Sequence, residues 1–239
     1  MFFLLGGGTY ILIAAAVIPA IYLVKYIYKA DRLEKEPPKL IIKTVLFGVI
    51  STYLAMIIEL LGEKIMNGMY FKSQASMLLF EFFVIVGPAE ELAKYLAFRF
   101  AVWKSPEFNC QFDAIVYSVS AALGFALWEN IKYVFAYGFG TAFIRAVTAV
   151  PGHASFGVFM GIWAGVAKRQ ELLGNKLAAK IFMIIGWLSA ALIHGLYDYL
   201  ATIGSISGGN LTFIGFIIVM FAISLYTVKT LSKKDRYIQ

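Results

Sequence analysis

Long apolar runs dominate this chain of 239 residues and leave few choices for its fold. Each run approaches or exceeds the roughly 20 residues that a helix needs to cross the hydrocarbon core of a bilayer. Lipid offers no hydrogen bonds to the backbone, so segments of this length favour helices, which satisfy their own polar groups. The seven runs are residues 4–28, 40–61, 77–98, 112–137, 142–167, 177–203 and 211–226. The sequence therefore predicts an all-α, polytopic transmembrane helical bundle of seven spans.

The composition agrees with this fold class and excludes several functions. Hydrophobic residues make up 61 % of the chain and charged residues only 15 %, a balance far from that of a soluble globular domain. The net charge of +7 does not indicate nucleic-acid binding, because the basic residues lie in the gaps between the apolar runs. We expect one integral membrane domain over residues 1–239, with its site helices within 77–203. The expected surroundings are a lipid bilayer, in a prokaryotic cell membrane.

The distribution of basic residues predicts how the chain crosses the membrane. The first run has no basic residue ahead of it, is too long for a signal-peptide core, and is followed by Lys25 and Lys29. Basic residues favour the cytoplasmic side, so the N-terminus is expected outside and the C-terminus in the cytoplasm. In this orientation the outer loops hold only Lys64, Lys72, Lys132 and Arg145 of the 21 lysine and arginine residues, with Lys94 inside a span.

A charged cluster interrupts the third run. Glu90 and Glu91 are adjacent, and Lys94 follows them at helical spacings of four and three residues. An ionised side chain near the bilayer centre costs about 2.5–3.5 kcal/mol even on lenient insertion scales, so such residues mark a functional site by default. A structural ion pair between two helices is the alternative explanation.

Further polar residues occur inside the later runs. Glu129 and Asn130 are neighbours in the fourth run, and His153 follows a Pro-Gly pair in the fifth, where a helix would begin or break. His194 and Asp198 share one helix face in the sixth run, four residues apart. The two histidines are the only ones in the chain, and both fall within predicted spans. We expect them to share one site with the glutamate pair.

These residue types suit the hydrolysis of a peptide bond. The reaction needs an activated water, a group that stabilises the oxyanion and a proton donor for the leaving amine. Either Glu90 or Glu91 is the predicted general base, and the other would hold Lys94 or a neighbouring helix. The sequence does not choose between the two glutamates.

The histidines allow two mechanisms. His153 and His194 could donate hydrogen bonds to the oxyanion, or they could bind Zn²⁺ with Glu129 or Asp198 completing the ligand set. Asp198 could instead fix the tautomer of His194. Motifs of other protease chemistries, such as His-Glu-x-x-His or Gly-x-Ser-x-Gly, do not occur. The rival class is a proton-coupled or cation transporter, since chains of carboxylates and histidines also form proton relays, and a non-catalytic scaffold comes third.

Several motifs follow one another along the chain. They are Glu90-Glu91-x-x-Lys94, Asp113 to Tyr117, Gly124 to Asn130, Arg145 with His153, and His194 to Asp198, with a first linker Asp31 to Pro37. Taken in this order, they resemble the motifs of the PrsW family of intramembrane proteases. The resemblance implies a protease that cuts a single-pass, membrane-anchored protein; in the best-known members this is the first cut of an anti-sigma factor, on the outer side of the membrane. That family is similar to the wider group of type II CAAX prenyl proteases and bacterial self-immunity proteases, which share a glutamate pair and later histidines.

A stripe of small residues follows His153. Gly157, Gly161 and Gly165 recur every four residues, a spacing that lets a second helix approach closely. We expect this stripe to pack against another helix of the same chain, with a homo-oligomer as the alternative. The single cysteine, Cys110, excludes an internal disulfide and is expected to pack as a small apolar residue.

Overall fold

The computed structural model describes residues 7–238, and these form an all-α bundle, as the composition predicts. Residues 4–6 of the first predicted run and Gln239 lie outside the described residues. The described elements are α1 (Gly7–Ala30), α2 (Pro38–Met66), α3 (Gln74–Phe80), a π-helical segment (Glu81–Val86), α4 (Gly87–Val102), α5 (Asp113–Tyr137), α6 (Phe139–Val147), α7 (Ala149–Leu172), α8 (Lys176–Ser207) and α9 (Leu211–Lys233).

Six helical stretches in the described part of the chain are long and apolar enough to cross a membrane. The predicted run 77–98 is not among them, because it is divided between α3, the π-helical segment and α4 and carries Glu81 besides the three predicted charges. It is nevertheless helical throughout, from Gln74 to Val102. An integral helical membrane protein is confirmed, whereas the count of seven spans and the orientation stay predictions.

Helix α5 forms the centre of the bundle. Every residue from Asp113 to Ala126 is buried, and α1, α2, α4 and α7 all pack against this helix. The stretch is rich in alanine, serine and glycine, which lets neighbouring helices approach closely where longer side chains would keep them apart. Residues placed on α5 are therefore within reach of several other helices.

The glycine stripe of α7 lies against α5 of the same chain. A Cβ atom added at Gly157 would lie 2.9 Å from Val119 Cα, and one at Gly161 would lie 2.7 Å from Ile115 Cα. At Gly165 it would lie 2.8 Å from the Gln111 carbonyl oxygen. The intramolecular packing predicted for this stripe is therefore present. A second copy would have to displace α5 to use these glycines, so a homo-oligomer would need a different surface.

The π-helical segment ends where Pro88 enters the chain. A proline has no N–H, and its ring clashes with the carbonyl of the residue four positions earlier in an α-helix. Here the Gly87 N–H bonds the Phe82 carbonyl, five residues back, which is the wider π spacing. The widened turn accommodates Pro88, and α4 begins at Gly87, directly before the glutamate pair.

Candidate active site in the membrane bundle

The charged cluster of α4 is a buried ion network. Lys94 Nζ donates to Glu90 Oε2 at 2.9 Å and to Glu91 Oε1 at 2.7 Å. The relative exposure of Lys94 is 1 % and that of Glu91 is 0 %, so neither charge is solvated by bulk water. One α-helix places all three side chains on the same face by the i+3 and i+4 spacing that the sequence shows.

His153 joins this network from α7. Its Nδ1 lies 2.9 Å from Lys94 Nζ, and its Nε2 lies 2.9 Å from Glu129 Oε2 on α5. Pro151 stands in the first turn of α7, where its missing N–H costs nothing, so the helix starts just before the histidine. Both ring nitrogens of His153 therefore have fixed partners on two other helices.

His194 brings α8 to the same place. Its Nδ1 lies 2.9 Å from Glu91 Oε1, and its Nε2 lies 3.3 Å from Asp198 Oδ2 and 3.9 Å from Glu90 Oε2. The approach of α8 depends on the small residue beside the histidine, because a Cβ at Gly195 would lie 2.7 Å from the Phe82 carbonyl oxygen. A larger residue at position 195 would push α8 away and separate His194 from Glu91.

Aromatic rings close the cluster on its apolar side. Phe156 stacks on His194 with ring centroids 4.5 Å apart, and Lys94 Nζ lies 4.2 Å from the centroid of Phe125. The centroids of the two imidazoles are 5.4 Å apart. The rings restrict the rotamers of both histidines and of the lysine, which holds the polar atoms in one arrangement.

Glu129 and Asn130 belong to a second layer of contacts. Arg145 of α6 donates to Glu129 Oε2 at 2.7 Å and to Asn130 Oδ1 at 3.0 Å. The Asn130 amide in turn donates to the Ala16 carbonyl of α1 at 2.7 Å. Asn130 therefore ties α1, α5 and α6 together, while Glu129 connects Arg145 to His153.

A cavity of about 410 Å³ reaches the cluster. Its wall includes Glu90, Glu129, His153, His194 and Asp198, whereas Glu91 and Lys94 are not among the described residues that line it. The two adjacent glutamates thus differ in position: Glu90 faces space that a substrate and water can enter, and Glu91 is enclosed between Lys94 and His194.

Glu59 of α2 also lines this cavity and does not appear among the predicted site residues. Its Oε1 is buried and has no hydrogen-bond partner among the described residues. The sequence could have indicated this residue, because Glu59 is a lone carboxylate inside the apolar run 40–61. The free-energy cost of an ionised side chain in the bilayer, which marked Glu90 as a functional candidate, applies to Glu59 as well.

The site contains a donor set that fits a metal ion. Glu90, Glu91, His153 and His194 each offer one ligand atom, and these atoms lie within 4.8 Å of one another. Glu91 Oε2 is buried without a hydrogen-bond partner in the described part of the chain, so this oxygen is free to bind a metal. This group differs from the predicted set of Glu129, His153, His194 and Asp198. Glu129 contacts the Nε2 atom of His153 and Asp198 contacts the Nε2 atom of His194. Such contacts orient an imidazole, as predicted for Asp198.

Lys94 takes the central place among these donors. Its ammonium contacts Glu90 Oε2, Glu91 Oε1 and His153 Nδ1, three of the four residues that could hold a metal. A metal ion and the ammonium would compete for the same atoms, since both are cations. Metal binding therefore requires Lys94 to withdraw from the centre.

Comparison with known families gives a match over residues 36–226 to a family described as "PrsW family intramembrane metalloprotease". The match covers α2 to α9 almost completely and includes every residue of the buried cluster. No solved structure matches this chain.

Curated relatives cover most of the chain. "Protease PrsW" of Geobacillus kaustophilus is 37 % identical over 194 residues, which is 79 % of this chain and 79 % of the relative. The protein of the same name from Oceanobacillus iheyensis is 31 % identical over 218 residues, covering 91 % of this chain and 94 % of the relative. That of Bacillus subtilis is 32 % identical over 193 residues, covering 80 % and 83 %.

Proposed function

The chain belongs to the PrsW family of intramembrane proteases, and from that premise we propose that it cleaves single-pass membrane proteins with a water activated by Glu90. The observation that carries the proposal is the meeting of Glu90, His153 and His194 at one cavity inside the helix bundle. Family membership favours peptide hydrolysis over the transporter that the same residues would suit.

Glu90 is the better of the two candidate bases because it lines the cavity. Its carboxylate would accept a proton from water while the water oxygen attacks the carbonyl carbon of the substrate. Glu91 is enclosed by Lys94 and His194 and would position both. A carboxylate that accepts and returns the same proton can also deliver it to the leaving nitrogen when the C–N bond breaks.

The histidines would stabilise the oxyanion that forms on the substrate. Attack on the carbonyl produces an oxyanion, and His153 and His194 stand on the cavity wall beside it. All four of their ring nitrogens contact Lys94 or a carboxylate, so each ring would exchange one of these contacts to donate an N–H to the oxyanion. Glu129 and Asp198 each contact the Nε2 atom of one imidazole. These carboxylates would fix the tautomers and stabilise positive charge on the rings as the oxyanion forms.

A metal would use the same side chains. His153, His194 and Glu91 would hold a zinc ion. Glu90 would then stay unbound on the cavity wall, where it can accept a proton. When bound, such an ion lowers the pKa of a coordinated water to about 7 and polarises a carbonyl. The role of Glu90 as proton acceptor is the same in either case, so the proposed base does not depend on the cofactor.

The proposed substrate follows from the depth of the site in the bundle. An enclosed site between helices can admit a single extended segment more readily than a folded domain, and a membrane-anchored protein such as an anti-sigma factor supplies one. If the positive-inside orientation holds, the predicted cut lies toward the outer leaflet.

Reconstitution tests this proposal. Purified protein in vesicles is mixed with single-pass substrates, and the cut sites are mapped by mass spectrometry. We expect a cut within or next to the transmembrane segment, and none in the same extramembrane sequence offered as a soluble peptide. Equal cleavage of the soluble peptide would contradict the proposed substrate class.

A further inference from the structure

A second group of buried carboxylates lies far from the Glu/His site. Asp31, Glu36 and Asp113 offer oxygen atoms within 4.8 Å of one another, and their relative exposures are 0 %, 4 % and 1 %. Asp113 is the first residue of α5, sixteen positions before Glu129, so the two groups are about 24 Å apart along that helix. We call Asp31, Glu36 and Asp113 the linker cluster.

The linker cluster joins three parts of the chain. Asp31 directly follows α1, Glu36 precedes α2, and Asp113 opens α5. The C-terminal segment closes the same corner, since the Ile238 N–H donates to the Asn109 carbonyl at 2.7 Å and the Phe112 N–H donates to Asp235 Oδ1 at 2.9 Å. A ligand here would tie the first linker to the central helix.

Two of the three carboxylates have partners that hold them in place. Asp113 Oδ2 accepts the backbone N–H groups of Asn109 and Cys110 at 2.9 and 2.7 Å, and the Tyr117 hydroxyl donates to Glu36 Oε2. These contacts direct both groups toward the same small space without supplying a positive charge. The group is therefore positioned, but its negative charge is not neutralised by these bonds.

Asp31 is held less firmly. Neither of its buried carboxylate oxygens has a hydrogen bond of normal geometry among the described residues. The Lys35 ammonium and the Glu36 N–H lie near enough to favour its negative charge. The neighbouring Lys35 ammonium donates to the backbone carbonyls of Asp31, Tyr28 and Lys29 and not to the carboxylate. A fully buried carboxylate without a normal hydrogen bond is costly, so the position of Asp31 next to two further carboxylates makes this corner a candidate site for a cation.

We infer that the linker cluster binds one hard divalent cation, Ca²⁺ or Mg²⁺, which fastens the α1–α2 linker to the start of α5. The donors are all oxygen atoms, which is the ligand type that both ions prefer.

A softer metal suits this corner less well. The linker cluster has no imidazole. Cys110 is not one of its members and belongs to a neighbouring donor group with Asp113 and Asp235. Zinc would find better ligands in the membrane site, which offers two imidazoles.

Thermal unfolding of the full chain in detergent, after treatment with EDTA, tests this inference. Ca²⁺ and Mg²⁺ are added separately, and at about 100 times the dissociation constant the bound ion should raise the unfolding midpoint by roughly 5 °C or more. We expect Asp31→Asn to abolish the rise. The matched control is Glu34→Gln, an exposed carboxylate of the same linker, which should leave the rise intact.

Luminescence of Tb³⁺ gives a measurement that does not depend on the folding of Asp31→Asn. Tyr117 lies in contact with Glu36, so it should sensitise a bound Tb³⁺ ion in the unaltered protein, and Ca²⁺ should compete for that signal. Tyr117→Phe should remove most of the emission.

Three results would overturn the inference. The first is the absence of any shift and any emission. The second is a shift that survives in Asp31→Asn, which would place the ion elsewhere. The third is that Asp31→Asn is more stable than the unaltered protein without added cation, and that neither protein is stabilised by Ca²⁺ or Mg²⁺. This result would mean that the carboxylates of the linker cluster share a proton and bind no cation.

Discussion

Replacement of Glu90 by glutamine is expected to lower kcat for a single-pass substrate by about 10²–10⁴-fold, the usual contribution of a general base. Glutamine keeps the size of the side chain but cannot accept the proton from water. We expect the other residues of the cavity wall to bind the substrate, so KM should change little. The measurement is steady-state cleavage in vesicles, with the unfolding midpoint of each variant recorded alongside.

Glu59→Gln is the matched control, because Glu59 is a carboxylate on the wall of the same cavity with no bond to the histidines among the described residues. Its turnover should stay close to that of the unaltered protein. Glu91→Gln should instead lose stability and activity together, since Glu91 bonds both Lys94 and His194. If Glu90→Gln cleaves normally, Glu90 is not the base.

Replacement of Lys94 by methionine is expected to cost about 3–5 kcal/mol in the free energy of unfolding, the typical penalty for removing one partner of a buried ion pair. The change leaves Glu90 and Glu91 facing each other without the ammonium that now bonds both. Denaturant unfolding in mixed micelles measures this loss.

Lys168→Met is the control for that prediction. Lys168 is also buried, but its ammonium donates to the Trp103 carbonyl at 2.6 Å and forms no carboxylate pair among the described residues. Its loss of stability should be clearly smaller. If the donors of the site accept a metal, Zn²⁺ should restore part of the stability of Lys94→Met and none of that of Lys168→Met. Equal losses in both variants would mean that Lys94 is not the organising cation.

The sequence predicts those contacts that depend on helical spacing alone. The bonds from Lys94 to both glutamates and the contact between His194 and Asp198 follow from positions three or four residues apart on one helix. The burial of all these groups follows from the apolar runs around them. The class of fold and the meeting of both histidines with the glutamate pair could therefore be predicted, whereas Glu59 was missed.

Contacts between helices could not be predicted in the same way, because they depend on how the helices cross. No spacing in the sequence indicates that Lys94 would bond His153, or that the enclosed glutamate would be Glu91 and not Glu90. The contacts of Glu129 with His153 and Arg145 likewise depend on how the helices cross. The π-helical turn before Pro88 replaces an uninterrupted α-helix for a local reason, the clash of the proline ring.

The most direct test of the active site is cleavage of a single-pass substrate by His153→Ala and by His194→Ala, measured in vesicles at matched amounts of folded protein. Both imidazoles contact the glutamate and lysine network from separate helices, and both line the cavity. The structure predicts that each variant loses cleavage while the helical content is kept. Cleavage at the original site and rate by both variants would contradict the assignment of this cluster as the catalytic centre.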